Sequence, residues 1–93
     1  MPVFIKRIVV DSLKPRETPI IELSRALCYV DGVEEVDVTV TEVDVRTETI
    51  RLTIKGSDIN YDNVAKVLNE YGVAIRSIDE INVSKRKSGI TNF

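Results

Sequence analysis

The sequence contains no histidine and no tryptophan, and its only cysteine is Cys28. Without histidine, a general acid or base would have to be a carboxylate or a lysine, and a lone cysteine cannot form a disulfide within the chain. No apolar stretch approaches the roughly 18 residues of a membrane-spanning helix, and the N-terminus lacks a signal-peptide pattern. We therefore expect a non-catalytic, cytoplasmic protein with no membrane anchor.

Length and charge narrow the possible partners. A chain of 93 residues with 43% apolar residues has room for one compact domain, which we place at residues 1–84, followed by a basic, flexible tail at 85–93. The net charge of −2 offers no overall attraction to nucleic acid or to an anionic membrane, so we expect neither as a partner. Plentiful Ile, Val, Glu and Lys are compatible with a heat-adapted source.

The first third of the chain predicts a strand and a helix. Residues 3–10 are apolar except for Lys6 and Arg7, which is typical of a strand buried on both faces. Residues 11–17 read as a loop. Thr18 followed by Pro19 predicts a helix start, and a glycine at Gly32 predicts its end.

Two half-buried strands follow, joined by a short polar link that predicts an antiparallel hairpin. Valines occupy the even positions from Val36 to Val40, but the odd positions at Val43 and Val45. This change of phase requires either a bulge near residues 41–42 or two valines on the open face of the sheet, where they would mark a partner surface.

The last third predicts a second helix and a fourth strand. Asn60 or Asp58 can cap a helix that ends at Gly72, and residues 73–83 form the last strand, whose periodicity slips around residues 79–80. The order strand, helix, strand, strand, helix, strand predicts an α+β ferredoxin-like fold. Its antiparallel sheet has the strand order 4-1-3-2, with both helices on one face.

Three segments, residues 10–15, 41–48 and 77–81, resemble an archaeal family of short proteins, the domain of unknown function numbered two hundred and eleven. The resemblance covers the chain up to about Val83. It implies the ferredoxin-like fold and homo-oligomers that form rings, so the expected partner is the chain itself. It implies no established activity.

The acidic residues suggest a site for a hard divalent cation, Ca²⁺ or Mg²⁺, which prefers oxygen ligands. The first and second strands run parallel in this topology, so we expect acidic residues at their ends to gather at one edge of the sheet. The alternative for the first four candidates is a solvated acidic edge paired with Lys14, Arg46 and Arg51. The alternative for Asp79 and Glu80 is a set of cross-strand salt bridges to Lys6 and Arg7. The metal candidates are Asp11, Glu42, Asp44, Glu48, Asp79 and Glu80.

A second hypothesis is a regulatory sensor that binds a small anionic ligand between subunits. Ser12, Lys14 and Arg16 precede the first helix, whose free N–H groups favour negative charge. The alternative is that both cations are ordinary loop charges. No glycine-rich phosphate loop is present to favour the ligand, so this hypothesis depends on analogy with other proteins of the fold.

Other uses of the fold lack their residues. Soft-metal chaperones need a pair of cysteines in the first loop, and RNA-binding versions need aromatic side chains on the central strands, where only Phe4 is aromatic. Cys28 is expected to be a small core or interface residue. A pure assembly module predicts instead that Val43, Val45, Ile90 and Phe93 lie in an interface between copies.

Overall fold

A computed structural model describes residues 2–86. The four strands form one sheet in the order β2-β3-β1-β4, and every neighbouring pair is antiparallel. This is the predicted ferredoxin-like α+β fold, with the predicted strand order read from the opposite edge. The elements are β1 (Phe4–Pro15), α1 (Ile20–Cys28), β2 (Val33–Val43), β3 (Thr47–Gly56), α2 (Tyr61–Glu70) and β4 (Ala74–Ser84).

The core lies between the two helices and one face of the sheet, as the alternation of apolar residues predicts. Every second side chain of β1 and β3 points toward the helices, and each helix contributes buried leucines or valines from one side. Burying one such side chain completely stabilises the fold by roughly 1.5–3 kcal/mol. The apolar side chains of the described residues with no exposed surface are Ile8, Val10, Leu23, Leu27, Ile50, Leu52, Ile54, Val64 and Leu68.

The predicted ends of α2 are confirmed, whereas both predicted ends of α1 differ, because α1 ends at Cys28 with Tyr29 as its C-cap, three residues before Gly32. The side chain of Asn60 accepts a hydrogen bond from the Asn63 N–H at 3.1 Å, and Gly32 and Gly72 have φ angles of +83° and +75°. Thr18 is not the cap of α1, because Pro19 occupies that position and no side chain caps the helix. The Thr18 hydroxyl instead donates to the carbonyl of Tyr71 at 3.3 Å.

The predicted loop at residues 11–17 is wrong, because β1 continues to Pro15. Asp11 pairs with Arg51 of β3 and with Ser77 of β4, and Pro15 pairs with Thr47. This polar segment is therefore held in the sheet by β3 as far as Pro15 and by β4 as far as Leu13. Asp11 lies within the strand and does not mark its end.

Both predicted changes of phase are bulges. In the β2–β3 ladder, Val40 pairs with Ile50 and Val43 with Glu48, so the register shift between them keeps both valines on the helix side of the sheet. In the β1–β4 ladder, the pairing steps from Glu80 to Ile78. The first of the two explanations for the valines is therefore correct.

Neither α1 nor α2, the helices of the described residues, is long and apolar enough to cross a membrane. The predicted flexible tail begins at Lys85, and most of it lies outside the described range. Ile90 and Phe93, the tail residues predicted for an interface, lie outside that range as well.

Candidate functional site

The most buried charge of the described chain is Lys14, which has only 1% of its surface exposed. Its ammonium lies 2.8 Å from Oε1 of Glu48 and donates to the carbonyl oxygens of Pro15 at 2.8 Å and Thr18 at 2.5 Å. A lysine has three N–H donors, and three oxygens surround this one. Lys14 and Glu48, candidates for an anion site and a metal site, therefore satisfy each other.

The predicted anion site is divided between the inside and the outside of the fold. Ser12 is fully buried on the helix side of β1, whereas Arg16 is exposed and donates to the carbonyl of Val45 at 3.4 Å. Ser12 and Lys14 therefore present no surface that a ligand on Arg16 could share. Among the described residues, the hydroxyl of Ser12 is the buried side-chain polar group that lacks a hydrogen-bond partner.

The open face of the sheet carries charges of both signs. Arg7 pairs with Glu80 across β1 and β4, and Arg76 lies 4.0 Å from Asp11. The carboxylate of Asp79 accepts a hydrogen bond from the hydroxyl of Ser77 at 2.7 Å. The cross-strand salt bridge predicted as the alternative for Glu80 is thus present.

Glu42 and Asp44 lie at the exposed tip of the β2–β3 hairpin. One carboxylate oxygen of Asp44 accepts the N–H of Val45 at 2.7 Å, and its own N–H bonds the carbonyl of Thr47 at 2.8 Å, so local bonds shape the turn. Within residues 2–86, no group of three or more acidic or cysteine side chains could hold a metal ion.

Apolar side chains are exposed along both outer strands. We define the β4 row as Ile78, Ile81 and Val83, whose exposed fractions are 48%, 56% and 54%. They share the helix side of the sheet with the core, because Ile78, Ile81 and Val83 pair with Val10, Ile8 and Ile5. The sequence pattern predicted a strand here. The spacing of its apolar residues was the signal that could have identified it as an exposed apolar surface.

The opposite edge has a matching set. We define the β2 row as Val38, Val40 and Val43, which are also on the helix side and become more exposed toward the hairpin tip. Val40 is 36% exposed and Val43 is 58% exposed. Val45, in the turn, is exposed by 80%. Contiguous exposed apolar surface, unlike a single exposed apolar side chain, is typical of a face that another chain covers.

The outer side of the helix pair carries an open groove of about 360 Å³ whose lining includes Tyr29, Asn63, Lys66 and Glu70. Cys28 lies beside it at the end of α1 and is exposed, so the core position is wrong and the interface position stays a prediction. Its thiol lies 3.9 Å from the carbonyl oxygen of Glu34. The helix turns the thiol past the apolar stripe and out to solvent.

Comparison with known proteins identifies a family and gives no chemistry for it. The family model of DUF211, described as uncharacterized ArCR, matches residues 6–87. The chain is similar to uncharacterized protein MJ0319 of Methanocaldococcus jannaschii, with 35% identity over 82 residues that cover 88% of this chain and 84% of that protein. The match covers every helix and almost every strand residue described above, and the chain therefore belongs to the DUF211 family.

Proposed function

We propose that the protein is a non-catalytic module that assembles with copies of itself and holds a divalent cation, Ca²⁺ or Mg²⁺, between them. The observation that carries the proposal is the exposure of apolar rows on both outer strands. Each row lies on a strand whose outer edge has no neighbour within residues 2–86. Unpaired backbone groups beside apolar side chains form a template for another strand.

The lengths of these strands support the same conclusion. β2 and β4 are each 11 residues long, about twice the usual strand, and neither contains a proline. Proteins that remain monomeric usually protect such edges with short strands, prolines or covering loops. A small domain also gains stability by association, because alone it buries a modest share of its surface.

The cation part of the proposal depends on carboxylates that the single chain leaves unpaired. Glu42 and Asp44 are exposed and form no ion pair within residues 2–86. They alternate with the exposed Val43 and Val45, so a chain that covers the valines also approaches the acids. Ca²⁺ takes six to eight oxygen ligands, and two copies could supply more of them than one.

Native mass spectrometry before and after EDTA, with Ca²⁺ or Mg²⁺ added back, tests both parts together. We expect an oligomer that carries whole-number metal per subunit, that loses it with chelator and that does not regain it in Asp44→Asn. Val43→Lys should dissociate the oligomer, because a charge replaces an exposed apolar contact. Ile21→Lys, at an equally exposed site on α1, is the matched control and should leave the oligomer intact.

The outcomes separate the two parts. A wild-type chain that remains monomeric at micromolar concentration refutes the assembly function. An oligomer with no metal at any concentration of added cation refutes the cation part alone. Equal effects of Val43→Lys and Ile21→Lys would move the interface away from β2.

A further inference from the structure

We propose that β4 of one copy pairs antiparallel with β2 of the next, with Ile78 opposite Val43, Ile81 opposite Val40, and Val83 opposite Val38. The inference rests on the proposed self-assembly and specifies its geometry. In this register seven residues of each strand are paired, from Ile78 to Ser84 and from Val43 to Asp37. Such a seam is about 24 Å long.

The spacing of the two rows is the main argument. Along β4 the row advances by three residues and then by two, because Asp79 is an extra residue in the pairing with β1. Along β2, read in the opposite direction, the row also advances by three and then by two, because Thr41 is an extra residue in the pairing with β3. The two irregular strands therefore pair one to one, with bulge beside bulge.

Homotypic antiparallel pairing does not fit these spacings. When β4 pairs with another β4, the row spacing of three and then two residues lies opposite a spacing of two and then three. If Ile78 lies opposite Val83, Ile81 then has no row residue opposite it. A shift of one residue turns a side chain to the other face of a sheet. The same mismatch arises between two β2 strands, which also carry four acidic residues each and no basic one.

The polar sides of the strands agree with the same register. Asn82 comes opposite Thr39 and Glu80 opposite Thr41, so the open faces present hydroxyl, amide and carboxylate groups to each other and no apolar side chain. Beyond the seam, Arg86 comes opposite Glu35. Cross-strand pairs of opposite charge or matched polarity favour the pairing.

Because the two surfaces differ, the contact is head-to-tail. Within residues 2–86, each copy has one β2 edge and one β4 edge without a neighbouring strand, so addition continues until a ring closes or a filament forms. The chain direction also agrees with a continuous sheet: β4 runs antiparallel to β1, and β2 runs parallel to β1. One unfavourable contact remains, since Asp79 comes opposite Glu42 of the next copy.

Two variants that each damage one edge provide the test. Ile81→Lys damages β4 and leaves β2 intact, and Val40→Lys does the reverse. We expect each variant alone to be a monomer by native mass spectrometry. Mixed one to one, they should form a heterodimer and nothing larger, because the intact β2 of the first pairs with the intact β4 of the second while the two lysines repel.

Several results would overturn the register. If Val40→Lys assembles on its own, two β4 strands pair with each other. If each variant assembles on its own, the interface does not involve the sheet edges, although the protein still self-assembles. Circular dichroism must show native folding for both variants. As a second measurement, Val40→Cys with Ile81→Cys in a Cys28→Ser chain should form interchain disulfides on oxidation, whereas Ile21→Cys in the same background should not.

Discussion

The buried pair of Lys14 and Glu48 allows a quantitative prediction about stability. Truncation of Glu48 to alanine leaves an ammonium that is 1% exposed with no counter-charge. Removal of one partner from a buried ion pair costs about 3–5 kcal/mol, because the remaining charge is neither solvated nor compensated. We expect a loss at the lower end, about 3 kcal/mol, for two structural reasons.

The first reason is that two carbonyl oxygens, of Pro15 and Thr18, still accept hydrogen bonds from Lys14 in the variant. The second is that the side chain of Glu48 is 19% exposed, so the vacated space is open to water. In a domain of this size, 1 kcal/mol corresponds to roughly 4–8 °C in Tm, so Glu48→Ala should lower Tm by about 12–24 °C.

Urea and thermal unfolding, followed by circular dichroism, measure the loss. Glu35→Ala is the matched control, because its carboxylate lies 3.9 Å from Lys55 with both side chains about half exposed, and it should change stability by less than about 0.5 kcal/mol. A double variant, Lys14→Met with Glu48→Leu, should recover most of the loss. A cost below about 1 kcal/mol for Glu48→Ala would refute the reasoning.

Three further predictions follow from single positions. Gly32→Ala should lower the free energy of unfolding by at least about 2 kcal/mol, because the added Cβ would lie 1.7 Å from the carbonyl oxygen of Asp58. Gly72→Ala should lower it by only about 1 kcal/mol of backbone strain, because the nearest neighbour of its Cβ lies at 3.4 Å. Equal losses for the two variants on chemical denaturation would contradict this. Ser12→Ala should leave stability unchanged or raise it by about 1 kcal/mol, because the buried hydroxyl has no partner, and a measured loss would show that it has one. In EDTA, Asp79→Asn should tighten assembly, on the order of tenfold in Kd by mass photometry, because it removes the repulsion across the proposed seam; weaker assembly would count against the register.

The fold could be predicted because each element carries its own local signal. The alternating valines of β2, the cap at Asn60 and the glycine at Gly72 each identify an element without knowledge of its neighbours. The end of β1 could not be predicted in this way. Lys14 and Pro15 are typical of loops, and only pairing with β3 holds them in the sheet. Ser12 and Lys14 do continue the period of Ile8 and Val10, a signal that their polarity concealed.

The candidate site was harder to predict, because charged residues pair with whichever partner the fold brings near. Glu48 is held by Lys14, and Glu80 by Arg7, contacts that depend on the strand order. The exposed β4 row was predicted as strand, but which of its sides the helices cover depends on where α2 lies. Sequence periodicity predicts which face of the sheet a side chain lies on, but it does not predict which element covers that side chain.

The strand order also determines when the chain can fold during synthesis. Of the elements described, β1 leaves the ribosome first, yet its two neighbours in the sheet are β3, which follows α1 and β2, and β4, the last of them. Contacts between such distant segments form late, because a long loop must close before they are gained. The nascent chain therefore exposes β1, with its run of Ile and Val, until β4 has emerged, and the protein folds after synthesis of its domain rather than alongside it.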